Sequence, residues 1–330
     1  MESRDKYTLV FGNKIRWLNK TNLIIIAKIL IALGLLFYLI HSVEYEKIIY
    51  AFSNANLYII SIVILLGVVN IYLQFAKWNL TCSEVLKENN QLKVLRSLFY
   101  GLSAGIITPL RIGEYFGRGI EFKNKSLFQV TVATLIDKLF PLMMVAFFGS
   151  ISSLLFIYYY FNVSLYLVLA LFILIFTFFY IFILLILNNK FWDTLLFSKI
   201  KSSEKLKPFF NKLKPFQNLD KKYFKGMLLI SFLFYSCFLI QYALLVSAFS
   251  NHFDYLNYLW AANLIMFVKT IIPPISMGEL GIREGASVYF LSQFGESASI
   301  GFNSSILLFI INLLIPALIG VGMFFRKNGK

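Results

Sequence analysis

The chain has 330 residues, 59 % of them hydrophobic and only 14 % charged, with a formal net charge of +15. A soluble globular domain carries about 25 % charged residues, so this composition leaves too little polar surface for a water-soluble fold. The Lys and Arg residues fall mostly between apolar runs, where the positive-inside rule puts them, so the basic excess reads as membrane topology with added attraction to anionic headgroups and not as nucleic-acid binding.

Residues 1–22 form a basic tail with Arg4, Lys6, Lys14, Arg16 and Lys20, expected on the cytoplasmic side. Leu23–Ile40 is the first expected span. It is long and no small-residue cleavage pattern follows it, so no cleavable signal peptide is expected. Residues 41–56 are weakly acidic and expected outside, and Leu57–Leu80 is the second span, leaving by a loop over 81–96.

Residues 97–120 are apolar but broken by Pro109 and Gly113. Two halves of about ten residues are each too short to cross a bilayer, which suggests a re-entrant hairpin. It opens to the cytoplasm, because Lys123 and Lys125 follow it. The third span, Leu127–Phe148, contains Asp137, Lys138 and Pro141, and the fourth is Leu165–Leu187. Residues 188–225 hold ten lysines against Asp193, Glu204 and Asp220, as expected of a loop lying on the inner leaflet. The fifth span is Gly226–Phe249, followed by a short external loop with His252 and Asp254. Residues 256–295 repeat the broken pattern around IPPISMGELG, and the last span, Ile300–Phe325, ends in Arg326 and Lys327.

The expected fold is an all-α polytopic membrane bundle of about six full spans plus two re-entrant half-helix hairpins. Its parts are the tail 1–22, a first membrane half 23–187, the lysine-rich loop 188–225 and a second membrane half 226–326. Both termini are expected in the cytoplasm of a bacterial or archaeal cell, with the bundle in its plasma membrane.

The two breaks share a spelling. Pro109-Leu-Arg111-Ile-Gly113-Glu114 runs on to Arg118, and Pro274-Ile-Ser276-Met-Gly278-Glu279 runs on to Arg283. Both fit P-x-x-x-G-E-x-x-x-R, and the second begins 165 residues after the first, half of the chain. Three spans lie between them, an odd number, so the hairpins enter from opposite faces as an inverted-topology repeat, a transporter architecture.

A helix restarting at Gly113 or Gly278 presents backbone N–H groups to an anion. Arg118 and Arg283 follow one turn later with a fork that matches phosphate oxygens. Glu114 and Glu279 stand four residues before these arginines, where each can pair with its Arg on one helix face. That pairing could staple the hairpin tip, contact substrate, or exchange between the two. Arg111 adds a cation to the first hairpin only, since Ser276 stands in the second. Asp137 and Lys138 point about 100° apart on their helix, toward different partners. Lys269 and Glu284 are further intramembrane charges, read either as cavity groups or as inter-helix bridges.

Two cysteines, Cys82 and Cys237, and two histidines give no disulfide framework, metal pair or hydrolase triad. No G-x-x-x-x-G-K-[ST] motif occurs. Catalytic residues, metals and cofactors are therefore not expected.

These motifs resemble the flippase-like family named for the lysylphosphatidylglycerol synthase transmembrane region. The residues carrying the resemblance are Pro109, Arg111, Gly113 and Glu114, then Pro274, Ser276, Gly278, Gly281, Arg283, Glu284 and Gly285. Glu279 departs from the pattern, where a second glycine is commoner. The resemblance covers about residues 23–326 and implies the membrane part alone, without the soluble aminoacyl-transferase domain of the long synthases. It implies translocation of an anionic lipid or lipid-linked intermediate. The alternatives are a membrane-embedded enzyme acting on a lipid phosphate or glycosyl carrier, and a non-transporting partner of a separate synthase or glycosyltransferase.

Overall fold

A computed structural model describes residues 45–187, 220–272 and 281–328. The expected first span, the basic tail, most of the lysine-rich loop and the second break with Ser276, Gly278 and Glu279 lie outside the described residues. Every regular element among the described residues is helical.

Helix α1 (Tyr45–Ser53) falls where an external loop is expected. Helix α2 (Leu57–Thr81) starts at Asn56, whose Oδ1 accepts from Tyr58 N and Ile59 N at 3.1 and 3.3 Å. It runs on into a π-turn, Cys82–Leu86, and stops where Lys87 turns left-handed at φ 53°. The 81–96 loop of the sequence reading is thus largely helical. Asn90 then caps α3 (Gln91–Ile107), accepting from Lys93 N at 3.2 Å.

After the break at Pro109–Arg111, α4 (Gly113–Gly119) doubles back along α3. A Cβ on Gly117 would lie 2.4 Å from Tyr100 O, and one on Gly113 would lie 2.3 Å from Ala104 O. Such backbone contact is open only to glycine. The arms are unequal, seventeen and seven residues, in place of two tens. Seventeen residues extend about 25 Å, still short of a roughly 30 Å hydrocarbon core.

Helix α5 (Leu127–Phe161) begins with a capping box between Ser126 and Gln129. Its 35 residues pass the expected end at Phe148 and stop at Asn162, φ 50°. At about 52 Å it is longer than a bilayer is thick, so it tilts or projects. Helix α6 (Leu165–Leu187) is apolar and, Val168 apart, largely exposed over its described side chains, with Tyr166 87 % and Ile173 68 % exposed, as suits a lipid-facing helix.

Helix α7 (Lys221–Ser250) runs antiparallel to α2: Asn56 N donates to Ala248 O at one end, and Thr81 Oγ1 meets Tyr223 OH at the other. Helices α8 (Tyr255–Ile271) and α9 (Ile282–Gln293) form the second antiparallel pair, with Trp260 against Phe294. Here the arms are seventeen and twelve residues. The last helical stretch is α10 (Ala298–Phe309), a π-turn Ile310–Leu314, and α11 (Ile315–Asn328).

The central core joins α5, α7, α8, α9 and α10 through Val145, Tyr242, Leu245, Leu264, Leu291 and Leu308. A second core, with Trp78, Leu98, Phe122 and Ala133, underlies the first hairpin. Four helical stretches among the described residues are long and apolar enough to cross a membrane: Leu57–Leu86, Leu127–Phe161, Lys221–Ser250 and Ala298–Arg326.

Candidate functional site

The break before α4 is held in an unfavourable backbone shape. Leu110 and Arg111 are both left-handed, at φ 56° and 54°, a region that side chains with a Cβ rarely occupy. The turn folds Arg111 back over Glu114, leaving Arg111 Nη2 3.2 Å from Glu114 Oε2. Gly113 N donates to Thr108 Oγ1 at 2.7 Å. The sequence reading offered that N–H to an anion; Thr108 has taken it.

Glu114 and Arg118 meet as their spacing requires, with Arg118 Nη2 2.8 Å from Glu114 Oε1. The other arm of the guanidinium reaches α5, where Arg118 Nη1 lies 2.9 Å from Asp137 Oδ2. Lys77 of α2 closes the network: its Nζ is 3.1 Å from the same Oδ2 and donates to Asp137 O at 2.8 Å. Trp78 covers the guanidinium, 4.3 Å from ring centre to Arg118 Cζ. Lys138 points away from Asp137, and its Nζ lies 2.6 Å from Glu114 Oε2, above the Tyr115 ring.

This cluster has a sealed base and an open rim. The side chains of Lys77, Glu114, Arg118 and Asp137 are at most 6 % exposed, whereas Arg111 is 21 % and Lys138 31 % exposed. Lys77, Arg118 and Lys138 bring three cations to two carboxylates, before Arg111 is added. Buried charges need close partners to offset desolvation, and here each has one within 3.2 Å.

The second half is built differently. Glu279, the expected partner of Arg283, lies outside the described residues. Arg283 pairs with its neighbour Glu284 through Nη2 and donates from Nε to Ser305 Oγ at 2.9 Å. Glu284 Oε2 accepts from Gly281 N at 2.6 Å, which fixes the start of α9. Arg283 and Glu284 are 1 % and 0 % exposed, a neutral bridge between α9 and α10 in this conformation. Lys269, near the end of α8, sits with Nζ 5.3 Å from the Phe238 ring.

Sequence reasoning passed over Lys77 and Trp78. The signal for Lys77 was present, since a lone Lys inside an apolar run falls under the same rule that singled out Asp137. Trp78 gave no signal beyond adjacency.

A family model described as the lysylphosphatidylglycerol synthase TM region matches residues 25–320. No curated protein and no solved structure matches the chain.

Proposed function

This chain belongs to the family of the lysylphosphatidylglycerol synthase TM region, an integral membrane protein by that membership and by its apolar helices, and from that premise we propose that it moves an anionic lipid or lipid-linked intermediate between leaflets. The observation that carries the reading is the partly exposed pair Arg111 and Lys138, held on the buried carboxylate of Glu114. A headgroup phosphate approaching the rim competes with Glu114 for Lys138. It gains charge-assisted hydrogen bonds that water at a bilayer surface supplies less well.

In this reading the α3–α4 and α8–α9 pairs are re-entrant hairpins that enter from opposite leaflets. The seat rests on the first alone, since Arg283 is consumed by Glu284 and Ser305. The membrane is a bacterial or archaeal plasma membrane with both chain termini in the cytoplasm. The lipid leaves chemically unchanged.

The test is purified protein in vesicles of phosphatidylglycerol and phosphatidylcholine, with fluorescent phosphatidylglycerol as probe and its mass measured afterwards. The expected result is accelerated exchange between leaflets at constant mass. Each charge-assisted contact is worth about 1.5–3 kcal/mol, so Lys138→Ala should slow exchange roughly 10- to 100-fold. A changed lipid mass points to an enzyme. Exchange no faster than in empty vesicles removes the proposal.

A further inference from the structure

A cleft of about 570 Å³ lies between α5, α7 and α8, within the size range of sites that hold small ligands. It is separate from the charge cluster. Ser152, its innermost residue on α5, stands about 21 Å along the helix from Lys138. The mouth is formed by Tyr159, two residues before α5 ends, and by Leu259 and Trp260 in the second turn of α8. Such rings gather where membrane helices meet the interface, so the cleft opens in the half of the membrane away from the cluster. Ser236 of α7 marks the deep end: its neighbour Tyr235 stacks on Phe148, one turn before Ser152. From the level of Phe148 to Tyr159 is about 16 Å along α5, roughly half of a 30 Å hydrocarbon core. The cleft is one leaflet deep.

The polar groups along its wall are bonded to one another. Trp260 Nε1 donates to Ser152 O at 3.1 Å. Asn263 Nδ2 donates to Phe148 O at 3.2 Å and to Ser152 Oγ, and Tyr235 OH donates to Asn263 Oδ1. That network braces α8 on α5 and leaves the wall little to offer a polar ligand. The rest of the lining is Leu155, Leu239, Ile240, Leu259 and the rings of Tyr159 and Trp260, and it includes no Lys, Arg, Asp or Glu. Leu155 and Ile240 are 40 % and 46 % exposed, so the walls run on into the lipid-facing flanks of α5 and α7. A partner's helix, about 10 Å across, fills roughly 1,200 Å³ over the same depth, twice what the cleft holds. A single hydrocarbon chain fits it in length, width and chemistry.

We propose that this cleft seats one acyl chain of a phospholipid from the leaflet away from the charge cluster, whatever the headgroup. Inside a bilayer the chain passes from hydrocarbon to hydrocarbon, so the gain is packing: a concave wall touches the chain on more sides than a flat helix face does. The amide and hydroxyl network loses no hydrogen bond when the chain enters. The headgroup stays at the interface beyond Tyr159 and Trp260, and no charged residue of the lining selects it. This site does not rest on the headgroup reading above. Together the two would divide the work: Arg111 and Lys138 read charge in one leaflet, and the cleft holds a chain in the other.

The experiment uses the full-length protein in digitonin, a steroidal detergent with no alkyl chain to compete for the cleft. One equivalent of phosphatidylcholine with a diazirine midway along one chain is added and irradiated, and the adducts are mapped by peptide mass. Leu155, Leu239 and Ile240 should carry about tenfold more label than Ile173 and Leu174 of α6, although those two are 68 % and 63 % exposed. Phosphatidylglycerol with the same labelled chain should mark the cleft equally, to within about twofold. Ser236→Phe fills the deep end and should cut the cleft label by about tenfold. Leu155→Trp, which narrows the mouth, is the second variant if Ser236→Phe fails to fold. No label in the cleft, label spread evenly over cleft and α6, or label that survives the filling overturns the site. A larger preference for either headgroup overturns recognition by the chain alone. If the cleft is labelled and no lipid exchanges in vesicles, the headgroup reading fails and this site stands.

Discussion

Replacing Arg118 with Met isolates the energetics of the buried charge cluster. Arg118 is 4 % exposed and gives one guanidinium arm to Glu114 at 2.8 Å and the other to Asp137 at 2.9 Å. Met keeps much of the apolar stem beside Trp78 and removes the charge. Glu114 still has Lys138 and Arg111, but Asp137 is left with Lys77 alone. Removing one partner from a buried ion pair costs about 3–5 kcal/mol, chiefly because the surviving charge loses its compensation. Adding Asp137→Leu and Lys77→Met removes that orphaned charge and its remaining partner together, leaving Glu114 with Lys138 and Arg111. Apolar replacement of a whole buried ionic group is often neutral or better, so the triple variant should be more stable than Arg118→Met by about 2 kcal/mol or more. Unfolding in mixed micelles by denaturing detergent, followed by circular dichroism, measures both. The reasoning fails if Arg118→Met costs less than about 1 kcal/mol, or if the three changes simply add.

Two further outcomes follow from the first hairpin. Gly117→Ala places a methyl 2.4 Å from Tyr100 O and 2.9 Å from Ala104 Cβ, so α4 must move off α3. The expected loss is about 1–3 kcal/mol in the same unfolding assay. Leu110→Gly relieves a left-handed backbone at φ 56° and should stabilise the fold by about 0.5 kcal/mol in the same assay, the relief of strain exceeding glycine's added freedom when unfolded; a loss of stability refutes the strain.

The helical class and several boundaries were readable from apolar run length. The start of the fourth span at Leu165 was readable, because a long apolar run follows the polar Asn162 and Ser164. The third span was expected to end near Phe148, and the helix that carries it, α5, continues to Phe161, since bilayer thickness sets the length of a crossing and not of the helix that makes it. The hairpin arms were misjudged for a related reason. Gln91, Lys93 and Arg96 are polar in sequence, yet they form the first turns of α3, nucleated by Asn90, and polarity was read as loop.

At the candidate site, the Glu114–Arg118 pairing was legible because helix geometry fixes i,i+4 neighbours. The meeting of Arg118 with Asp137 and Lys77 was not, because it depends on how α2, α4 and α5 pack, which no local spacing encodes. The same limit explains Arg283: Glu284 is its immediate neighbour and on an ideal helix diverges from it, but Ser305 and the start of α9 draw both side chains to one spot.

The headgroup seat is tested most directly by the lipid preference of Lys138→Gln, which keeps a polar side chain one bond shorter and removes one of the two rim charges. In mixed vesicles carrying fluorescent phosphatidylglycerol or fluorescent phosphatidylcholine, the unaltered protein should exchange the anionic probe faster, and Lys138→Gln should lose that preference by about tenfold. An unchanged preference in a correctly folded Lys138→Gln would contradict the seat.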